Sequence, residues 1–186
     1  MGLYPADRAW SDRFVPAIKQ IVGPYLLEPA PLDVDRREAT DLIVLRARNM
    51  RIAARIRRED IARDYPFEFT IRSHRENGVT TELDKIFNGF GDWLFYGHAR
   101  HNDKTDICLW WLIDLHAFRA AMIRDRRTCR IRYGEKSNGD GTSFYWFDLF
   151  SFPEYPPILI ASSQPLAARQ FALDFSSDQR GYECAR

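Results

Sequence analysis

Near the start of the chain, apolar residues recur at helical spacing. Phe14, Ile18, Ile21 with Val22, and Tyr25 share one face of a helix predicted over 12–27. Pro16 fits only its first turn, and Gly23-Pro24 frays or kinks its end. Pro29 and Pro31 then impose an extended linker. Three strand signals follow. DLIVLRA, at 41–47, is short and apolar, and a three-residue turn separates it from RIAARIR, at 51–57. The second segment alternates: Ile52, Ala54 and Ile56 face one way, Arg51, Ala53, Arg55 and Arg57 the other. FEFTIRS, at 67–73, sets Phe67, Phe69 and Ile71 opposite Glu68, Thr70 and Arg72. A second helix starts near Thr80 or Thr81, where Thr81 and Asp84 have capping-box spacing, and stops at Asn88-Gly89.

The strands DWLFYGHA (92–99) and DICLWWLI (106–113) form a hairpin whose turn is marked by Asn102-Asp103. A third helix begins with Asp114 as N-cap and buries Leu115, Phe118 and Met122. A last hairpin pairs 129–133 with 143–150 across a turn of Asn138, Gly139, Asp140 and Gly141. PPILIASS adds one edge strand, and the final fifteen or so residues read as a mobile tail. The order α-β-β-β-α-β-β-α-β-β predicts a mixed α/β (α+β) fold, with one domain over 1–152 and an edge strand and tail over 153–186.

The 186 residues, 45% of them hydrophobic, suffice for a sizeable core. A net charge of +1 gives no strong long-range pull on nucleic acid, so local distribution decides. Between Arg46 and Arg75 stand nine arginines and no lysine, against four acidic residues. Arginine in such excess suits bidentate contact with phosphate or carboxylate, or else forms solvated strand faces paired with nearby acids. Cys108, Cys129 and Cys184 form no CxxC pair, which argues for a reducing compartment and against a zinc site. With no apolar leader and no run approaching a membrane span, a cytoplasmic protein is expected.

Metal-dependent phosphodiester cleavage needs carboxylates to hold Mg²⁺ and a cation at the scissile phosphate. An Asp at one strand's start, beside an acid and a Lys two apart on the next strand, supplies these economically. Here Asp41 leads one strand and Arg55 and Arg57 share a face of the next. With Asp33 upstream, the 67–73 strand, the 81–88 helix and DWLFY from Asp92, residues 12–115 resemble the PD-(D/E)XK nuclease-like superfamily, in particular its small phage and resolvase-like members. The resemblance implies a restriction-endonuclease-like core, α-β-β-β-α-β, followed here by a β-α-β-β extension. It implies a phage or mobile-element protein that engages nucleic acid, DNA foremost, and a Mg²⁺ cofactor where it is catalytic.

The family's Glu-x-Lys is Arg55-Ile56-Arg57 here, and arginine neither ligates a cation nor shuttles protons. Two substitutes are available. Glu68 shares a face with Thr70 and Arg72, and Glu82 with Lys85 lies one helical turn apart in TELDKI. A catalytic set would then be Asp41, Glu68 or Glu82, and Lys85, with Asp41 and Glu82 on the metal and Arg55, Arg57 and Arg72 on phosphate oxygens. Glu82 and Lys85 read more readily as an ordinary surface ion pair, since such pairs three apart are common on helices. Asp33, Asp35, Glu38 and Asp41 read equally as neutralisers of Arg55, Arg57 and Arg72 in an ionic network.

A second basic cluster, Arg119, Arg124, Arg126, Arg127, Arg130 and Arg132, surrounds the end of the third helix. It complements the helix dipole or tracks a nucleic-acid backbone or an acidic partner. Gly89-x-Gly91 closes a helix and is not a phosphate loop. His98-x-x-His101 lacks further ligands at metal spacing, and the tryptophans read as core pairs. The alternative to nucleic-acid engagement is a non-catalytic protein-interaction or inhibitory module that binds a host protein.

Overall fold

The computed structural model describes residues 4–26, 28–29, 42–43, 50–75 and 78–164. Two helices open the chain, α1 (Tyr4–Asp12) and α2 (Val15–Val22), and a 3-10 turn follows over Gly23–Leu26. The single helix expected over 12–27 is therefore split at Arg13-Phe14 and ends five residues early. Pro16 takes its place in the first turn of α2, and past Val22 the chain tightens at Gly23-Pro24, where Pro24 has no amide to donate. Tyr25, expected on the buried face, is exposed. The polar α1 carries little apolar periodicity and was not expected.

Short strands β1 (Glu28–Pro29) and β2 (Leu42–Ile43) pair with each other. Then come β3 (Ile52–Arg57), the six-residue helix α3 (Glu59–Asp64), β4 (Glu68–Arg75) and α4 (Glu82–Phe87). The hairpin of β5 (Trp93–Ala99) and β6 (Ile107–Asp114) leads into α5 (Leu115–Asp125). Strands β7 (Tyr133–Ser137), β8 (Thr142–Asp148) and β9 (Leu159–Ser162) complete the fold. Among the described residues no helix is long and apolar enough to cross a membrane.

The result is a mixed α/β fold with two main sheets. One has the order β3-β5-β6-β9, with β3 parallel to β5 and the other neighbours antiparallel. The other, β4-β8-β7, is antiparallel throughout. The described part of the 41–47 segment pairs with β1, while β3 takes β5 as its neighbour; the expected adjacency of 41–47 and 51–57 is not among the described pairings. Beyond β2, residues 44–49 lie outside the described set, as does the tail from 165. β9 is the expected edge strand, and it completes the larger sheet.

Alternation in β3 assigns its two faces. Ile56 joins Phe95 and Leu112 against Phe14, at the N-cap of α2, and Ile18 and Val22 within it. This close packing needs Gly97, where a Cβ would stand 2.9 Å from Ile56 Cδ1 and 3.0 Å from the Phe95 ring. The opposite sheet face presents Leu94, Tyr96, Trp111 and Ile113 to Phe69 and Ile71 of β4, Phe147 of β8 and Phe118 of α5. Phe69 is the hub: it stacks on Phe147 at 5.1 Å and meets Phe118 and Tyr96 edge-on.

The expected caps form. Thr81 Oγ1 accepts the Asp84 amide while Asp84 Oδ2 accepts the Thr81 amide. Asp114 Oδ1 accepts the amides of His116 and Ala117 and starts α5. Leu115 and Phe118 are buried as expected, and Ala121 is buried deeper than Met122. The last hairpin begins at Tyr133 rather than 129; the residues before it form a turn tied down by an Arg132–Asp148 ion pair. Cys108 is free, and Cys184 lies outside the described residues.

Candidate functional site

The parallel register of β3 and β5 places Arg55 beside Tyr96 and Arg57 beside His98 on the inner sheet face. Both arginines thus share a face, as their i, i+2 spacing dictates. That face is covered by the second sheet. Arg55 Nη1 donates to the Thr70 carbonyl at 2.7 Å and lies 3.4 Å from Glu82 Oε2. The same Glu82 oxygen accepts the Arg72 amide at 3.3 Å, and Thr70 Oγ1 lies 3.3 Å from the Tyr96 hydroxyl. Arg55 and Glu82 therefore link β3, β4 and α4 in a largely buried polar network. Such a network specifies how elements meet more than it adds stability.

Glu82 turns inward to Arg55, whereas Lys85 is exposed and ion-paired to none of the described residues. Glu68 is half-buried at the start of β4, opposite Asp148 across the β4–β8 ladder. Asp33, Asp35, Glu38 and Asp41 lie outside the described residues. Among the described residues no three His, Cys, Asp or Glu side chains converge as a metal site. The Glu82 carboxylate, facing a guanidinium, does not fit the role of Mg²⁺ ligand in this arrangement.

One register step beyond Arg55, His98 is fully buried and neither ring nitrogen has a hydrogen-bond partner among the described residues. Burial, reinforced by the Arg57 charge, lowers its pKa to about 4. Arg57 Nε is likewise buried without a partner among the described residues. His101 sits apart on the β5–β6 loop, 3.6 Å from Glu59, so the His98-x-x-His101 spacing brings no pair of ligands together.

A different arrangement forms where α4, β5 and α5 meet. Asp92 Oδ2 accepts the Arg51 amide at 2.8 Å, which holds its carboxyl below the usual range, with His116 and the Arg51 side chain adding to the effect. Arg119 Nη2 lies 2.7 Å from His116 Nδ1, and His116 Nε2 lies 3.2 Å from Asp92 Oδ1. Arginine is a donor only, so His116 accepts at Nδ1 and donates from Nε2 to Asp92. Arg119 also donates to the carbonyls of Ile86 and Gly91, binding the α4–β5 loop to α5. It has no carboxylate of its own among these contacts.

At the far end of α5, Arg124, Arg126, Arg127 and Arg130 are exposed and ion-paired to none of the described residues. The acid interleaved with them, Asp125, is buried; its Oδ1 accepts the Thr128 hydroxyl at 2.8 Å and the Arg130 amide at 2.7 Å. The turn thus directs its cations outward and its carboxylate inward. Arg126 and Arg127 were legible in the sequence as a cluster, but the inward turn of Asp125 was not. Phe90, exposed between two glycines in the α4–β5 loop, also escaped the sequence reading. The signal for it was an aromatic in N-G-F-G just past a helix stop.

No family model, no curated protein and no solved structure matches the chain.

Proposed function

We propose that this chain is a nucleic-acid-binding protein whose phosphate contacts come from the arginines at the end of α5. The supporting observation is the exposed set Arg124, Arg126, Arg127 and Arg130, ion-paired to none of the described residues, around an inward-turned Asp125. Four guanidinium groups within seven residues, without an ion pair among the described residues, favour a polyanion over bulk water, and arginine matches phosphate geometry bidentately. The strand arginines play another part. Arg55 is committed to Thr70 and Glu82, so it holds the two sheets in register and leaves phosphate binding to the α5 turn.

Fluorescence anisotropy with labelled DNA and RNA across a salt series tests the reading. Four phosphate contacts give a slope of log affinity against log salt of about −3.6 on duplex and a shallower one on single strands. Undetectable binding even at low salt removes the nucleic-acid reading and leaves a protein partner. The same samples, incubated with Mg²⁺ or Mn²⁺, report any strand cleavage; products that vanish in Glu82→Ala would restore a metal-dependent role for that carboxylate.

A further inference from the structure

The loop that follows α4 is a fully hydrogen-bonded stop. The Gly89 amide donates to Ile86 and the Phe90 amide to Lys85, with Gly89 at φ +86°, which is the Schellman arrangement. In that arrangement the residue in the Phe90 position ordinarily buries itself against the residue in the Lys85 position. Here that neighbour is an exposed lysine, and the Phe90 side chain is left 57% exposed. Gly91, at φ +79°, continues the turn and approaches Leu115 closely. Arg51 stacks over Phe90 with its guanidinium carbon 5.7 Å from the ring centre. A rigid turn therefore holds an aromatic ring in water under a cation.

The Phe90 loop is tied to the helix whose far end carries the arginines of the proposed interface. Arg119 clamps the loop to α5. From Arg119, Ile123 and Arg126 follow at i+4 and i+7, on one helix face and over about 10 Å of rise. Ile123 is 61% exposed, and the helical backbone persists through Arg126. Phe87, 40% exposed at the end of α4, sets its ring against Phe118 of α5. Carboxylates of this region are held by hydrogen bonds: Asp84 by Thr81, Asp92 by Arg51 and His116, Asp125 by Thr128 and Arg130.

Alternating cations and exposed apolar faces suit an unpaired nucleic-acid strand, whose phosphates and uncovered bases repeat together. A duplex hides its base faces and gives Phe90 and Ile123 nothing to cover. We propose that the strip from Phe90 along α5 to Arg127 is a track for single-stranded nucleic acid, with Phe90 as the platform on which a base stacks; this rests on the nucleic-acid reading above. Stacking on an aromatic needs no particular base, so the track tolerates sequence.

The test uses the full chain and four probes: an oligothymidylate of about 20 nucleotides, the matching duplex, an abasic strand of the same length, and poly-glutamate. The wild type is expected to bind oligothymidylate about tenfold more tightly than the abasic strand, and Phe90→Ala to weaken oligothymidylate binding about tenfold while sparing the abasic strand. Phe90→Tyr, which keeps a ring, retains the affinity. Phe90 is mostly exposed, and thermal melting verifies that the variants fold. An unchanged oligothymidylate affinity in Phe90→Ala, with Arg126→Ala/Arg127→Ala weakening every nucleic-acid probe, overturns the stacking track and leaves phosphate binding standing. Poly-glutamate bound as tightly as oligothymidylate overturns it in favour of an acidic protein. No binding to any nucleic acid overturns both readings.

Discussion

Replacing His98 with leucine should remove a defined part of the protein's acid sensitivity. His98 is fully buried, lies in register with Arg57, and has no hydrogen-bond partner at either ring nitrogen among the described residues. Burial and the Arg57 charge lower its pKa from 6.5 to about 4 in the folded chain. Above the unfolded value of 6.5 the imidazole is neutral in both states and costs nothing by protonation. As pH falls below 6.5 the unfolded chain takes up a proton that the folded chain refuses until about pH 4, so stability is lost across that window. The whole difference corresponds to at most about 3 kcal/mol, of which about 2 kcal/mol is lost by about pH 5. Leucine is similar in size and does not titrate. Urea unfolding followed by tryptophan fluorescence, at a series of pH values, measures the effect. Wild type and His98→Leu should have stabilities within about 1 kcal/mol of each other at about pH 7.5, because the variant also removes two unsatisfied polar atoms. The variant should then lead by about 2 kcal/mol more at about pH 5. Parallel stability–pH curves for the two proteins would refute the assignment of a buried, neutral His98.

Two further sets of substitutions test the elements that position the site. Thr81→Ala removes the N-cap of α4 and should cost about 1 kcal/mol in thermal or urea unfolding, whereas Thr81→Ser should preserve the box. Arg55→Ala, Glu82→Ala and the double variant form a cycle whose coupling should be about 1 kcal/mol, with Arg55→Ala the costlier single change because it also strips the Thr70 carbonyl of its donor; zero coupling would show that the two side chains do not meet.

Much of the fold is written locally. The alternation of 51–57, the Thr81/Asp84 box, the Asn88-Gly89 stop, the Asp114 cap and the β5–β6 hairpin all depend on neighbours within a few residues, and each forms as expected. The partners of the strands are not local. Nothing in RIAARIR states that it runs parallel to a strand some forty residues on, or that 68–75 leaves it for a different sheet. Burial depends on that choice: Arg55 looks like a surface cation until β4 and α4 cover it with Thr70 and Glu82. The same limit applies at the site. Arginines 126 and 127 were visible as charge density, but whether Asp125 neutralised them depended on a turn that folds its carboxylate inward. The helices α1 and α3 are too polar or too short for periodicity to reveal.

In the proposed function, phosphate is met by the arginines at the end of α5 and the arginines of β3 serve the interior. The salt dependence of duplex binding, measured for Arg126→Ala/Arg127→Ala and for Arg55→Ala, separates these roles most directly. Loss of two phosphate contacts should flatten the slope by about 1.8 in the double variant, while Arg55→Ala, once shown to be folded, should leave the slope unchanged. A slope that flattens in Arg55→Ala and persists in the double variant would contradict the account and return the phosphate site to the sheet.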